Sequence, residues 1–262
     1  MDKIIVVKLG GAILGSRDTS IEDITKLQQQ GRLLVIVHGG GKVITEWLIK
    51  KGISSRFAQG ERITDRTTLE VVVSVLAGLV NKKIVTDINS LGGRAVGISG
   101  VDGGLIQSRA KSKDLGYVGS VVKVNLALLE TLLKSGYIPV VAPISLHLFE
   151  KPVEAPGMLN INADIVAGEI AANIGAERLV FLTDVIGICN QQGKLLPRLS
   201  LDEAESLIAS GIISGGMIPK IKACKRALAN TSTTCIIDGR QPYALLSEVE
   251  GGSSGTTIQK VN

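Results

Sequence analysis

The chain has 262 residues, a net charge of +5, an apolar fraction of 45% and an aromatic fraction of only 3%. That length supports one large core or two tight lobes, and an aliphatic, aromatic-poor composition favours an α/β protein. The modest positive charge is spread along the chain without interleaved aromatics, which argues against a nucleic-acid surface, and Cys189, Cys224 and Cys235 lack the spacing of a disulfide framework or a zinc site. Met1-Asp2-Lys3 leads straight into the first apolar run, leaving no room for a signal peptide, and the longest apolar stretches, such as Val71 to Val80, are too short to cross a bilayer. A cytoplasmic protein that binds no membrane is expected.

In chain order, short runs of Val, Ile and Leu predict buried strands at Ile4–Val7, Leu33–Val37, Ala95–Ile98, Ile138–Ala142, Leu179–Leu182 and Thr234–Ile237. Helical patterns lie between them, at Lys42–Lys51, Arg66–Leu91, Asn125–Ser135, Ala163–Ile174, Leu201–Ser210 and Met217–Asn230. Asn125 and Ser200 are candidate N-caps, and Gly52, Gly136, Gly175 and Gly211 fall where helices should stop. Alternation of this kind predicts right-handed crossovers and a three-layer αβα sandwich around a mostly parallel open sheet. The polar, Gly-containing intervals from Arg56 to Thr64 and from Gly104 to Lys123 read as hairpins over the sheet edge. Gly251-Gly252-Ser253-Ser254-Gly255 reads as a flexible patch.

Two of the strands run into glycine turns, Lys8-Leu9-Gly10-Gly11 and His38-Gly39-Gly40-Gly41. Glycines there let backbone N–H groups approach an anion, and a following helix adds the positive end of its dipole. A third glycine pair precedes a lysine in Gly215-Gly216-Met217-Ile218-Pro219-Lys220. Two phosphate-friendly turns and two lysines suggest phosphoryl transfer. Ligands of such sheets bind beyond the carboxyl ends of the strands, so the polar residues there are the candidates. Lys8 is either a solvated edge lysine or, given its neighbours, aimed at the glycine turn. In Asn160-Ile161-Asn162-Ala163-Asp164, one residue suffices as an N-cap, which leaves a side chain for substrate and a carboxylate to orient nearby lysines. Asp184 is a turn residue or a ligand contact, and Arg62 a surface residue or a fork for a substrate carboxylate.

Taken in order and spacing, these segments, together with Gly60-Glu61-Arg62-Ile63-Thr64-Asp65, Asn81-Lys82, Asp102-Gly103-Gly104-Leu105, Gly136-Tyr137-Ile138-Pro139-Val140 and Leu182-Thr183-Asp184-Val185, resemble the amino acid kinase family from Lys8 to about Thr257. Within it they are closest to the acetylglutamate kinase branch. The resemblance implies an N-terminal lobe (1–176) for the amino-acid substrate and dimerisation, and a C-terminal lobe (177–262) for ATP. It implies phosphorylation of the side-chain carboxylate of N-acetyl-L-glutamate, with Mg²⁺ held mainly by the phosphates and no metal ligands from the protein. By the same resemblance Lys8 and Lys220 stabilise the transition state and Asp164 holds both. Gly10, Gly11 and Gly40 donate N–H bonds to the moving phosphoryl group. Gly40 and Gly41 meet the substrate, with Arg62 on its α-carboxylate and Asn160 on its acetamido group. Asp184 and Ile212, Ile213 and Ser214 lie by the nucleotide.

The alternatives are an acetylaminoadipate or carrier-linked aminoadipate kinase and, more remotely, a non-catalytic sensor on the same fold. Leu146 to Gly157, next to Asn160, departs from the expected pattern and bears on that choice. Gly251 to Gly255 also spells GxSxG, but His38 and His147 both precede Ser253, against the chain order of an α/β-hydrolase triad. Neither GxGxxG nor a Walker A lysine motif is present in the glycine turns. Arginine-inhibited relatives carry an extra N-terminal helix ahead of the first strand. The expectation here is therefore a homodimer insensitive to arginine, with the helix around Val71–Val80 either between subunits or in the core.

Overall fold

The computed structural model describes residues 3–11, 19–58, 60–252 and 254–260. Met1, Asp2 and the Ser253 of the GxSxG segment lie outside the described residues. In chain order the elements are β1 (Ile4–Leu9), α1 (Ser20–Gln29), β2 (Leu33–His38), α2 (Gly41–Lys50), β3 (Phe57–Ala58), β4 (Glu61–Arg62), α3 (Arg66–Val73), a π-helical segment (Ser74–Val80) and α4 (Asn81–Ser90). They continue with β5 (Ala95–Gly100), β6 (Ile106–Ala110), β7 (Gly119–Val124), α5 (Ala127–Lys134), β8 (Ile138–His147), β9 (Met158–Asn160), α6 (Ala163–Ile174) and β10 (Arg178–Thr183). The last are β11 (Arg198–Ser200), α7 (Leu201–Ala209), α8 (Met217–Ala227), β12 (Thr233–Asp238), α9 (Ala244–Val249) and β13 (Gly255–Gln259).

Eleven of the described strands form one sheet in the order β11-β13-β12-β10-β1-β2-β8-β6-β7, with β5 and β9 also pairing with β8. The central pairs β12–β10, β10–β1, β1–β2 and β2–β8 are all parallel. Apolar side chains alternate between two cores: Ile5, Val7 and Leu9 face one layer and Val6 the other. A sheet covered on both faces needs apolar residues at every position, which is why these strands read as unbroken aliphatic runs. The expected three-layer αβα sandwich is therefore present, and the sheet crosses residue 176 without a break because β1 pairs with β10.

The polar intervals resolve into two different hairpins. β3 and β4 form a separate two-stranded sheet, whereas β6 and β7 pair antiparallel and extend the main sheet. Ser200 caps α7 through a reciprocal capping box with Glu203, and Gly175 closes α6 in the left-handed region at φ 64°. Asn125 stands ahead of α5, its carboxamide oxygen accepting the Ala127 N–H. The single helix expected over Arg66–Leu91 is instead α3, the π segment and α4. Val71, Val72, Val75, Leu76 and Val80 pack into this chain's own core, and Leu79 of the same run is exposed. The patch expected to be flexible ends in a strand, since Gly255 opens β13 against β12.

Candidate active site

The site sits at the carboxyl ends of β1, β2 and β10. Lys8 shares the face of Val6, the side of the sheet covered by α6, and is only 7% exposed. α6 begins beside it. Asn162 is its N-cap and accepts the Asp164 N–H at 2.8 Å, which settles which residue of the Asn160–Asp164 segment caps the helix. Asp164 then projects from the first turn. α8 lies close against α6 because Gly168 leaves room; a Cβ there would stand 2.7 Å from the Ala223 carbonyl oxygen. That approach brings Lys220, in the first turn of α8, to the same carboxylate.

Lys8 Nζ lies 2.8 Å from Asp164 Oδ1, and Lys220 Nζ lies 3.0 Å from Oδ2. Lys220 also donates to the Gly216 carbonyl at 3.3 Å. Burial alone would raise the Asp164 pKa, but the two ammonium groups outweigh it and hold the carboxyl below its usual range. One carboxylate thus binds two cations drawn from β1 and α8, at the positive end of the α6 dipole.

A cavity of about 200 Å³ opens over this triad. Its lining includes Lys8, Gly40, Gly41, Arg62, Asn160 and Asp164. The two glycine turns meet at its edge: a Cβ on Gly11 would lie 3.3 Å from the Gly40 nitrogen and 3.6 Å from that of Gly41. α2 starts at Gly41 with no side-chain cap, so its first N–H groups are presented without an internal acceptor. Gly10 is a correction to the sequence reading. Its N–H donates to the Leu182 carbonyl at 2.9 Å, so the strand ladder uses the donor assigned to the phosphoryl group.

Arg62 is 7% exposed and stacks on Phe57, 4.7 Å from the ring centroid. It donates to Ser55 Oγ at 2.6 Å, to the Gly41 carbonyl at 3.0 Å and to Thr45 Oγ1 at 2.9 Å. Among the described residues no carboxylate pairs with it, and burial lowers its pKa. A buried, oriented guanidinium with only neutral partners has the charge and geometry to pair with an incoming carboxylate. Asn160 Nδ2 donates to Thr64 Oγ1 at 3.2 Å, and its side chain also faces the cavity. Sequence reasoning did not find Thr45 or Ser55, and Thr64 stood only inside the motif at 60–65, without a role of its own. Thr45 lies in α2 and Ser55 in the loop after it, and no spacing rule links either to Arg62.

A second cavity of about 430 Å³ adjoins the first at Gly60, Glu61 and Asn162 and reaches Lys111, Gly215, Ile218 and Lys222 on the α8 side. Asp184, Ile212, Ile213 and Ser214 line neither cavity. Asp184 is exposed just past β10, near Arg240, whose guanidinium grips Asp238 at 2.8 Å through both Nε and Nη2. Ser214 is exposed at the approach to α8. The Ile213 side chain is buried, and its N–H is used by the Leu207 carbonyl at 3.0 Å.

The chain matches the amino acid kinase family over residues 3–238. A relative from Dehalococcoides mccartyi strain CBDB1, named acetylglutamate kinase, is 47% identical over 255 residues, covering 97% of this chain and 94% of that protein. One of the same name from Nostoc sp. strain PCC 7120 is 47% identical and covers 94% of this chain and 84% of its own. The crystal structure of smu.665 from Streptococcus mutans UA159 superposes with a TM-score of 0.86 at 27% identity, covering all of both chains. The matched span takes in both lysines and the carboxylate that joins them: the chain belongs to the amino acid kinase family.

Proposed function

We propose that the chain transfers the γ-phosphoryl group of MgATP to the side-chain carboxylate of N-acetyl-L-glutamate, a step of arginine biosynthesis. The observation that carries this reading is the Lys8–Asp164–Lys220 triad beside two glycine turns and the acid-free Arg62. Its near-full-length relatives named acetylglutamate kinase supply the substrate class.

The acceptor is already an anion, so a carboxylate oxygen attacks the γ-phosphorus directly. The bond from phosphorus to the β,γ-bridging oxygen breaks, ADP leaves, and no proton need move. The barrier is the meeting of two negative reactants, and fixed cations and N–H donors lower it by stabilising charge on the transferred oxygens. In this reading Lys8 and Lys220 close on that group from opposite sides, and Gly11 and Gly40 add N–H donors. Gly41 and Asn160 contact the amino acid, while Arg62 takes its α-carboxylate. Asp184, Ile212, Ile213 and Ser214 flank the nucleotide in a C-terminal lobe that begins near residue 177. Among the described residues no three His, Cys, Asp or Glu side chains converge on a metal position. We read Mg²⁺ as entering on the ATP phosphates.

Among the described residues no helix is long and apolar enough to cross a membrane. A biosynthetic step using ATP and a free acylated amino acid belongs in the cytoplasm, and we read the chain as a homodimer, which its mass in solution tests. The activity is tested by ADP release and hydroxylamine trapping of the acyl phosphate with N-acetylglutamate, N-acetylaminoadipate, glutamate and aspartate. N-acetylglutamate is expected to give the highest kcat/KM; no acyl phosphate from it, or a preference for N-acetylaminoadipate, overturns the reading.

A further inference from the structure

We propose that Asn81 is a positioning residue for phosphoryl transfer, holding His38 in the one tautomer that aims the Gly40 N–H into the cavity. This deepens the kinase reading above and rests on it for its catalytic consequence.

His38 ends β2 on the face opposite Lys8 and is fully buried. Its Nδ1 lies 2.9 Å from the carbonyl oxygen of Gly39, and its Nε2 lies 3.2 Å from Asn81 Nδ2. Asn81 is fully buried as well. Its amide nitrogen donates to the Val140 carbonyl at 2.8 Å and lies 3.3 Å from that of Ile98, while its oxygen accepts from Lys82 Nζ at 3.2 Å. The amide therefore has one orientation. Turned over, it would set its oxygen against two carbonyls and its NH₂ against an ammonium.

With the amide fixed, Nε2 of His38 can only accept, so the ring proton is on Nδ1 and donates to the Gly39 carbonyl. In a trans peptide the C=O and the following N–H point in opposite directions. Tethering the Gly39 oxygen on the buried side thus turns the Gly40 N–H toward the side where Lys8 and the cavity lie. Desolvation lowers the His38 pKa to about 4, so the ring stays neutral and the tautomer persists at working pH.

The surroundings are shaped for this contact. Gly97 lies where a Cβ would fall 1.9 Å from Asn81 Oδ1, so the strand next door is open for the amide. The π segment ends at Val80, immediately before Asn81, and it presents Leu76 and Val80 to Gly40. A wide turn in a long helix re-phases the residues after it, and such turns recur at functional sites.

The test uses the full chain labelled with ¹⁵N-histidine, which has only His38 and His147 to assign. At pH 7 His38 is expected to show a protonated Nδ1 and a bare Nε2. A protonated Nε2 overturns the proposal. The kinetic arm compares His38→Asn, whose amide can occupy the Nδ1 position and still donate to Gly39, with His38→Gln, whose amide reaches only the Nε2 position. His38→Asn is expected to keep a kcat at least about tenfold above that of His38→Gln, with KM for N-acetylglutamate similar in both. A packing role would favour Gln, the closer match in size, so equal turnover or the reverse order overturns the proposal. Asn81→Leu is expected to mix the His38 tautomers and lower kcat in step. The NMR arm reads no catalysis, so it judges the geometry even if the native chain leaves N-acetylglutamate untouched.

Discussion

Leu76 packs directly against the backbone of Gly40: a Cβ on Gly40 would stand 2.6 Å from Leu76 Cδ2. The glycine is therefore demanded by a neighbour behind the turn as well as by any ligand in front. Gly40→Ala is expected to lower kcat about 100-fold by pushing the turn into the cavity, an overpacking strain of about 1–3 kcal/mol. Leu76→Ala in the same chain should restore part of that loss. Steady-state kinetics on the two single variants and the double variant check this, and purely additive losses would mean the two residues do not communicate.

Lys8→Ala and Lys220→Ala are each expected to reduce kcat by about 10²–10³ while shifting KM for N-acetylglutamate much less. Near-normal turnover of Lys8→Ala would remove it from the catalytic set. Asp164→Ala should differ in kind, because it strands a buried Lys8. Breaking a buried pair from one side costs about 3–5 kcal/mol, so this variant should also show a clear drop in unfolding free energy by urea titration.

Arg62→Ala is expected mainly to raise KM for the amino acid. Arg62→Lys should rescue little, because one ammonium cannot reproduce a fork that already engages Ser55, Thr45 and Gly41 while facing an incoming carboxylate. Product formation across substrate concentrations separates the two parameters.

Acid should weaken the fold through His38 well before Asp164 titrates. In the unfolded chain a histidine protonates near 6.5, but buried His38 resists until about 4. The unfolded state therefore binds the extra proton first, and stability falls as pH drops between those values. Lowering the pH from 6.5 to 5 should cost about 2 kcal/mol from this residue. Urea titrations at the two pH values check the figure, and His38→Asn should flatten the slope. Asp164 has the opposite acid–base character. Its folded pKa is depressed, so its contribution is present above the ordinary carboxylate range and is lost only as pH falls through the lower folded value.

The parts of the fold legible in the sequence were those whose burial is complete. β1, β2, β8, β10 and β12 each carry an uninterrupted run of apolar residues because both faces of the sheet are covered there. α1 escaped notice because Ser20–Gln29 is mostly polar, with few apolar positions to mark a period. β13 is Thr-rich and follows directly on a Gly- and Ser-rich stretch, so no apolar run marks it. The π segment was unreadable for another reason: Ser-Val-Leu-Ala-Gly-Leu-Val is ordinary helix sequence, and only packing against Gly40 distinguishes the wide turn. At the site, Lys8, Arg62, Asp164 and Lys220 stood out as polar residues beside glycine turns or apolar runs. The supports of Arg62 did not, because the contacts of Thr45 and Ser55 exist only once α2 and β4 have been brought together.

The shared carboxylate has a consequence for what the site ignores. At rest Asp164 offsets one of the two positive charges, so the three groups together attract a stray orthophosphate or sulfate less than two unpaired lysines would. An anion that arrives tethered elsewhere, by an adenine at one end or an acylated amino acid at the other, can draw the lysines across. A weaker hold on common inorganic anions than two free lysines would have is thus the expected consequence of sharing one carboxylate.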